Sequence, residues 1–493
     1  MPATRYVLAV DQGTTSTRAV LLDAKLNVRG VGQQEFTQHF PKPGLVEHDL
    51  QEIWDTTERC IARALKQANA KGSQVAAIGI TNQRETTGLW TAAGKPLHRA
   101  IVWQDRRTSD LCHELKARGE EARVRRTTGL VLDPYFSGTK LKWLLDHVKD
   151  ARRRAAQGEL RFGTIDTWLV FKMTGGAVHV TDATNASRTL LMNLETLAWD
   201  DAMLSMLDVP RAVLPRIAGS AELYGVTRGM KSLPDGVPVS GIAGDQQAAL
   251  FGQACFDPGE SKCTYGTGAF LLMNVGTRPV QSKAGLLSTV AWRLGDTTTY
   301  ALEGSAFIAG AAVQWLRDGL GLIKKASDVE ALAKTVKSSG AVVFVPALAG
   351  LGAPHWRPDA RGLFAGIDRS TTKGHLARAV LEGVAFQIQD LAEAMKLDSG
   401  RAIPAFKVDG GAAKNDLLMQ FQADVLGTNV VRPKNVETTA LGAAFLGGLG
   451  VGFWKSPDDI RRAWKADKVF KPKLSAEERA HHLGKWRDAV KRA

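Results

Sequence analysis

Three glycine-bearing turns carry groups that can hold an anionic oxygen: Gly13 to Ser16 with Thr14 and Thr15 between them, Gly266-Thr267-Gly268, and Gly410-Gly411. Backbone amides in such turns can converge on one oxygen, and the hydroxyls add donors that a bulkier side chain would block. Neither a G-x-x-x-x-G-K-S/T loop nor a G-x-G-x-x-G after a strand occurs, which argues against a P-loop or a dinucleotide fold. One Gly-Thr hairpin turn is ordinary structure, whereas two inside matching hairpins point to a nucleotide site split between two domains. Magnesium beside a phosphate needs one or two carboxylates, and Asp11 opens the first turn. A hydroxyl nucleophile needs an acid to take its proton; Asp245, at a predicted strand end before a helix, meets that need. A lone loop aspartate is otherwise a cap or turn residue. Arg84 and Glu85 follow the end of another predicted strand, at the rim where α/β sheets bind ligands.

The elements that must position these residues are legible from apolar periodicity. YVLAV and TRAVLL read as the strands of a hairpin across Asp11 to Ser16, and ESKCT and AFLLMNV form a second such unit around Gly266. Either a duplicated domain or two ordinary hairpins of a large α/β protein gives that pattern. Asp49 with Glu52 three residues on predicts a capping-box start to a helix whose apolar face carries Ile53, Trp54, Cys60, Ile61, Ala64 and Leu65. Strands are predicted over 74–80, 238–243, 341–345 and 405–408. Helices are predicted over 137–147, over 167–173 with a Gly175-Gly176 stop, over about 374–395, and from about Thr438. The basic C-terminal segment reads as a peripheral helix. The main boundary is placed near Ala254, before Asp257-Pro258-Gly259, giving domains 1–253 and 254–493.

With 493 residues, 44% apolar and 23% charged, the chain has a globular composition. At about 150 residues per domain it has room for two or three. The 64 basic against 50 acidic residues leave a net charge of +14. Basic residues scatter through predicted helices, with bunches at Arg123 to Arg126 and Arg152 to Arg154, and form neither a stripe nor a tail. They read as solvated faces, and no nucleic-acid partner is expected. Cys60, Cys112, Cys255 and Cys263 are too unevenly spaced for a disulfide framework, and no C-x-x-C or H-E-x-x-H offers a zinc site, so a reducing compartment is expected. Met-Pro-Ala-Thr runs straight into a strand pattern without a basic and apolar leader, which predicts a cytoplasmic protein. The longest uncharged run, Thr438 to Trp454, is near the lower length limit for a span and rich in glycine and alanine. It predicts a buried helix and turn, with no membrane insertion.

The strings DQGTTSTRAV, GITNQRETT, DPYFSGTKLKWLLDH, TDATNASRT, GIAGDQQAALFGQ, TYGTG, ALEG, QWLRD, GLGAPHW, DGGAAKN and MQFQAD occur in this order. They closely resemble the glycerol-phosphorylating members of the FGGY carbohydrate kinase family, from about Tyr6 to the C-terminus. The resemblance implies an α/β protein of two actin-like ATPase (ribonuclease H-like) domains hinged around a central cleft. It also implies phosphoryl transfer from ATP, with Mg²⁺, to glycerol, giving sn-glycerol 3-phosphate. Within it, Thr14, Thr15, Ser16 and Arg18 match the first phosphate turn and Thr267 the second. Gly310, Gln314, Gly411 and Asn415 match positions lining the nucleotide. Arg84, Glu85, Tyr135, Asp245 and Gln246 match polyol contacts, while Trp103 and Phe270 match apolar walls of that pocket. Asp245 matches the catalytic base, and Asp11 together with Asp245 matches the acids near magnesium. A homo-oligomer, dimer or tetramer, is expected as well.

Glycerol has three hydroxyls and little apolar surface, so recognition needs donors and acceptors: Arg84 can donate, Glu85 can accept, and Gln246 can do either. A sister kinase for a pentulose or another polyol would need a roomier pocket. An actin-like nucleotide switch would have no use for the Arg84/Glu85 and Asp245/Gln246 pairs. The chain departs from some relatives in its control segments. Those inhibited by fructose 1,6-bisphosphate carry a glycine-rich loop ending in arginine, which residues 228–236 lack, so weak or absent inhibition is expected. No histidine lies between Glu222 and Gly241, where other relatives are phosphorylated, and 472–482 only partly resembles the segment that docks a phosphotransferase protein.

Overall fold

The computed structural model describes residues 5–357 and 359–493, so the Met-Pro-Ala-Thr start lies outside the described residues. Both predicted hairpins form, each at the centre of a mixed sheet. In the first sheet β1 (Tyr6–Gln12), β2 (Ser16–Leu22) and β3 (Val28–Glu35) run antiparallel, and β4 (Val75–Asn82) and β6 (Pro238–Gly244) add in parallel beyond β1. An edge strand, β5 (Ala221–Val226), gives the order β5-β6-β4-β1-β2-β3.

The second sheet repeats this plan. β7 (Ser261–Tyr265), β8 (Ala269–Gly276) and β10 (Thr297–Ala306) form the antiparallel meander, and β11 (Phe406–Asp409) and β12 (Val430–Pro433) follow in parallel beyond β7. β9 (Leu287–Leu294) and β13 (Ala466–Phe470) close the two edges. The shared order, three antiparallel strands and two parallel ones, resolves the sequence ambiguity in favour of duplication. Two such units facing each other make the actin-like ATPase fold.

Each sheet is covered on both faces, so its central strands are buried along nearly their whole length, and β1 is apolar from Tyr6 to Val10. In β1 the alternate residues Tyr6, Leu8 and Val10 join an outer core with α1 (Leu50–Gln67), while Val7 and Ala9 face inward. Two helices fill the inner layer: α2 (Asp245–Gly252), which follows β6 directly, and α6 (Thr438–Gly450), the buried apolar run. The outer face of the second sheet carries α4 (Lys373–Ser399) and α5 (Asp416–Leu426). α6 belongs to the second half of the sequence yet lies on the first sheet and against α2. Glycine makes that approach possible, since a Cβ at Gly79 would sit 1.8 Å from the Ala443 carbonyl oxygen. Overpacking of this kind costs about 1–3 kcal/mol, so the small residues here are a packing requirement.

Several expectations need adjusting. Asp49 caps α1 through the amides of Gln51 and Glu52, but the Glu52 carboxylate turns away to accept from the Thr37 amide and hydroxyl at 3.0 and 2.9 Å, so no capping box closes. β4 runs on to Asn82, and α4 extends to Ser399, where Gly400 in the left-handed conformation ends it. The strand predicted over 341–345 is shorter, Val343–Val345.

Candidate active site

The ends of the central strands deliver both glycine turns to one cleft. In the first, Gly13 N donates to Ser16 O at 3.0 Å, and Trp103 Nε1 donates to Thr14 Oγ1 at 3.0 Å. Thr15 is exposed, and Thr14 and Ser16 are half-buried. Arg18, opposite Asp11 in the β1–β2 ladder, forms an ion pair with Glu437, the residue before α6, and so links the two halves at the cleft lip. In the second turn the carbonyls are tied down by the start of α3 (Gly310–Asp318). Gly266 O accepts from Gly310 N at 2.9 Å, and Thr267 O accepts from Ala309 N and Ala311 N at 2.9 and 3.0 Å. A Cβ at Gly310 would meet Gly266 O at 2.5 Å, so only glycine fits. Gln314 stands exposed on α3 with no side-chain hydrogen bond among the described residues.

A cavity of about 250 Å³ is lined from both lobes, by Asp11 of β1 and by Thr264, Asp409, Gly410, Gly411 and Glu437. Gly410 has φ of 87° and packs its bare Cα against the Tyr265 carbonyl, while the space around Gly411 is open. Asn415 caps α5, its side-chain oxygen accepting from Leu418 N at 2.9 Å.

Around Asp245 the predicted residues Arg84, Glu85, Tyr135, Trp103 and Gln246 come together. Asp245 begins α2 with 32% of its side chain open to the cleft, and Arg84 Nε lies 3.3 Å from its Oδ1. Arg84 also donates to Glu303 Oε2 at 2.5 Å and to Tyr135 Oη at 3.3 Å. Tyr135 meets Trp103 edge-on, with ring centroids 5.7 Å apart. Glu85 holds a left-handed φ of 61°, a strain of order 1–3 kcal/mol of the kind found at functional sites. Phe270 is half-buried on β8, opposite Thr264 and Ser305.

Three residues outside the predicted set complete the cluster. Glu303, on β10, also accepts from Arg188 Nη2 at 2.9 Å, and Arg188 Nε donates to Glu85 Oε1 at 2.7 Å. Lys262, on β7, donates to Gln246 Oε1 at 2.5 Å. An ammonium group can only donate, so it occupies one lone pair of the amide oxygen and leaves Nε2 of Gln246 free to donate to a ligand. Arg84 Nε and Arg188 Nη1 are buried N–H groups with no hydrogen-bond partner among the described residues, the condition that a ligand or water must relieve. Arg188 and Glu303 fall within the strings TDATNASRT and ALEG, which was the available signal; for Lys262 the sequence offered only a charge inside an alternating strand.

The carboxylates differ sharply in charge state. Burial opposes ionisation of Glu303, but Arg188 and Arg84 outweigh it and hold its pKa down to about 2. Burial raises Asp245, with Arg84 and Lys262 offsetting only part of the effect. Asp11 is pushed up to about 7 by burial and by repulsion from Asp245, with only Arg18 opposing. No hydrogen bond reaches the Asp11 carboxylate among the described residues. A divalent cation would therefore find in Asp11 and Asp245 two under-neutralised carboxylates, the number magnesium takes when phosphates supply the remaining ligands. No cluster of three or more His, Cys, Asp or Glu suited to a metal exists among the described residues.

Two matching lobes, a shared cleft and an open carboxylate beside buried guanidinium groups define a phosphotransferase of the actin-like ATPase fold. Comparison with known proteins narrows the class. Models of the N-terminal and C-terminal domains of the FGGY family of carbohydrate kinases match residues 6–252 and 261–451. Glycerol kinase from Myxococcus xanthus is 71% identical over the full length of both chains. That from Deinococcus radiodurans is 59% identical, over 99% of this chain and 97% of its own. The crystal structure of Plasmodium falciparum glycerol kinase with ADP matches with a TM-score of 0.94 at 37% identity, covering 99% of this chain and 98% of that one. A ligand-bound xylulose kinase from Lactobacillus acidophilus matches at 0.88 and 26% identity, covering 99% and 97%. The chain belongs to the FGGY family of carbohydrate kinases.

Proposed function

We propose that the protein is an ATP-dependent kinase that phosphorylates glycerol to sn-glycerol 3-phosphate, with Asp245 as general base. The observation that carries this reading is the open Asp245 carboxylate, 3.3 Å from Arg84 Nε, in a cleft with a glycine turn in each lobe. The 71% identity to a glycerol kinase along the whole chain favours glycerol over a pentulose, for which the xylulose kinase likeness is only 26%.

Arg84 and Gln246 donate to glycerol hydroxyls, Glu85 and Asp245 accept from them, Tyr135 adds its hydroxyl, and Trp103 and Phe270 cover the carbon edge. Asp245 takes the proton of the terminal hydroxyl as that oxygen forms its bond to the γ-phosphorus. The bond from γ-phosphorus to the bridging oxygen breaks, and ADP leaves with the electron pair. Amides and hydroxyls of Thr14, Thr15, Ser16 and Thr267, with Arg18, hold the phosphate chain of the nucleotide, in ADP as in ATP, and offset the charge on the transferring group. Gly310, Gln314, Gly411 and Asn415 line the rest of the nucleotide. Asp11 and Asp245 hold Mg²⁺, which supplies charge neutralisation at the phosphates when bound.

We divide the chain functionally at 253/254, the first part bearing the polyol site and first turn, the second bearing the second turn and the adenosine site. Four buried, unpaired cysteines support a cytoplasmic location, and among the described residues no helix is long and apolar enough to cross a membrane. Exposed apolar side chains at Leu348, Trp356 and Ile367 support a homo-oligomer, dimer or tetramer, measurable by light scattering.

The deciding experiment is a coupled ADP-release assay with glycerol, xylulose, erythritol and no acceptor. Turnover is expected with glycerol far above the others. Equal turnover without any acceptor would instead make the protein a nucleotide switch.

A further inference from the structure

The first turn is backed by a hydrogen-bond network that the proposed chemistry leaves unused. Gly13 O accepts from Gln12 Nε2 at 2.9 Å and from Gln83 Nε2 at 3.0 Å. Thr14 O accepts from Gln38 Nε2 at 3.0 Å, and Thr15 O accepts from Phe36 N at 3.3 Å. Behind these amides sits His48, fully buried, with Phe36 edge-on to its ring. His48 Nε2 lies 2.8 Å from Gln38 Oε1, and His48 Nδ1 lies 3.3 Å from Gln83 Nε2. An imidazole that donates at one nitrogen and accepts at the other must be neutral, and burial pushes the His48 pKa down to about 3. The ring thus touches two glutamine amides, of which Gln83 is also held by donation to Gln12 Oε1 at 2.9 Å and by Thr86 Oγ1 donating to its Oε1 at 2.9 Å.

In a trans peptide the N–H points away from the C=O of the same unit. A carbonyl of Gly13 held on the protein side thus turns the Thr14 amide outward, and a held Thr14 carbonyl does the same for the Thr15 amide. Neither amide finds an acceptor among the described residues. We propose that His48, Gln83 and Gln38 are positioning residues that aim the Thr14 and Thr15 amides into the cleft, pre-forming the anion-binding turn. None of the three needs to touch the nucleotide. The inference rests on the reading that a nucleotide phosphate occupies this turn.

The test compares wild type with His48→Leu, Gln83→Leu, Gln38→Met and His48→Gln, using titration with ADP, steady-state kinetics and thermal unfolding. For His48→Leu and Gln83→Leu, the ADP Kd and the ATP KM are expected to rise roughly fivefold to twentyfold while the glycerol KM stays within twofold. His48→Gln, which can still donate and accept, is expected to recover most of the loss. A merely structural role would lower Tm and the fraction of active enzyme without separating the two KM values. Should His48→Leu not fold, half-buried Gln38→Met keeps the question decidable. Folded variants that bind ADP within twofold of wild type overturn the inference alone. Wild type that fails to bind ADP overturns the functional reading and this inference with it.

Discussion

The two glycine turns face the same cleft but are held in opposite ways. Side chains brace the first: amides of Gln12, Gln83 and Gln38, the last two in contact with one buried imidazole, take the carbonyls of Gly13 and Thr14. Main chain braces the second, where the amides of residues 309–311 at the start of α3 take the carbonyls of Gly266 and Thr267. Both arrangements turn N–H groups toward the cleft. The difference teaches where each is vulnerable, since a side-chain brace fails by substitution, whereas a main-chain brace fails only when something is pushed into it.

The largest effect should come from a change that disturbs neither brace. Asp245→Asn keeps a hydrogen-bonding group but cannot take a proton, so kcat is expected to fall about 10²–10⁴-fold while ADP Kd stays unchanged. A matched loss of ADP affinity would mean that Asp245 supports a turn rather than the chemistry. Next, Gly310→Val drives a side chain into Gly266 O and displaces the second turn. A shift near 1 Å can cost about 10²-fold, so kcat/KM for ATP should drop by that order with glycerol KM preserved. If both KM values moved together, the lobes would not be separable in this way.

Glu303→Gln sharpens the contrast from outside both turns. It leaves Arg84 and Arg188 buried with one carboxylate fewer, for which about 3–5 kcal/mol of destabilisation is the usual scale. Tm should fall and glycerol KM rise, with ADP Kd unaffected. The smallest effect is a pH shift. Asp11 and Asp245 act as carboxylates, so kcat/KM for ATP should fall as pH drops through about 7 at low magnesium, and this limb should move to lower pH as magnesium rises. The raised Asp11 pKa also means that the metal-free protein loses stability as pH climbs from about 4 to 7. Asp11→Asn is therefore expected to raise the metal-free Tm by a few degrees at pH 8.

Much of this architecture is legible in the sequence because it is local. The hairpin turns and the Gly175-Gly176 stop each depend on a few neighbouring residues and form as read, and Asp49 caps α1 although the expected capping box does not close. What stays hidden is set by distance along the chain. Lys262 and Glu303 look like stray charges in apolar strands, and their roles emerge only when β7 and β10 bring them to Gln246, Arg84 and Arg188, up to 219 residues away. His48 is similar: it sits in a two-residue strand, and nothing nearby announces that it governs a turn more than thirty residues earlier. Glu52 shows the converse failure, a local signal overruled by an available partner in the neighbouring Thr37.

α6 carries one last consequence, for how the chain is made. The inner face of the first sheet, with Val7, Ala9, Ala77 and Ala243, is covered by a helix that begins at Thr438. During synthesis the amino-terminal lobe therefore emerges with this side covered only in part, by α2, and it must remain so until residue 450 has been translated. A fragment stopped at residue 253 is expected to bind hydrophobic dyes and to clump. The seam that separates two lobes in sequence is, for folding, no seam at all.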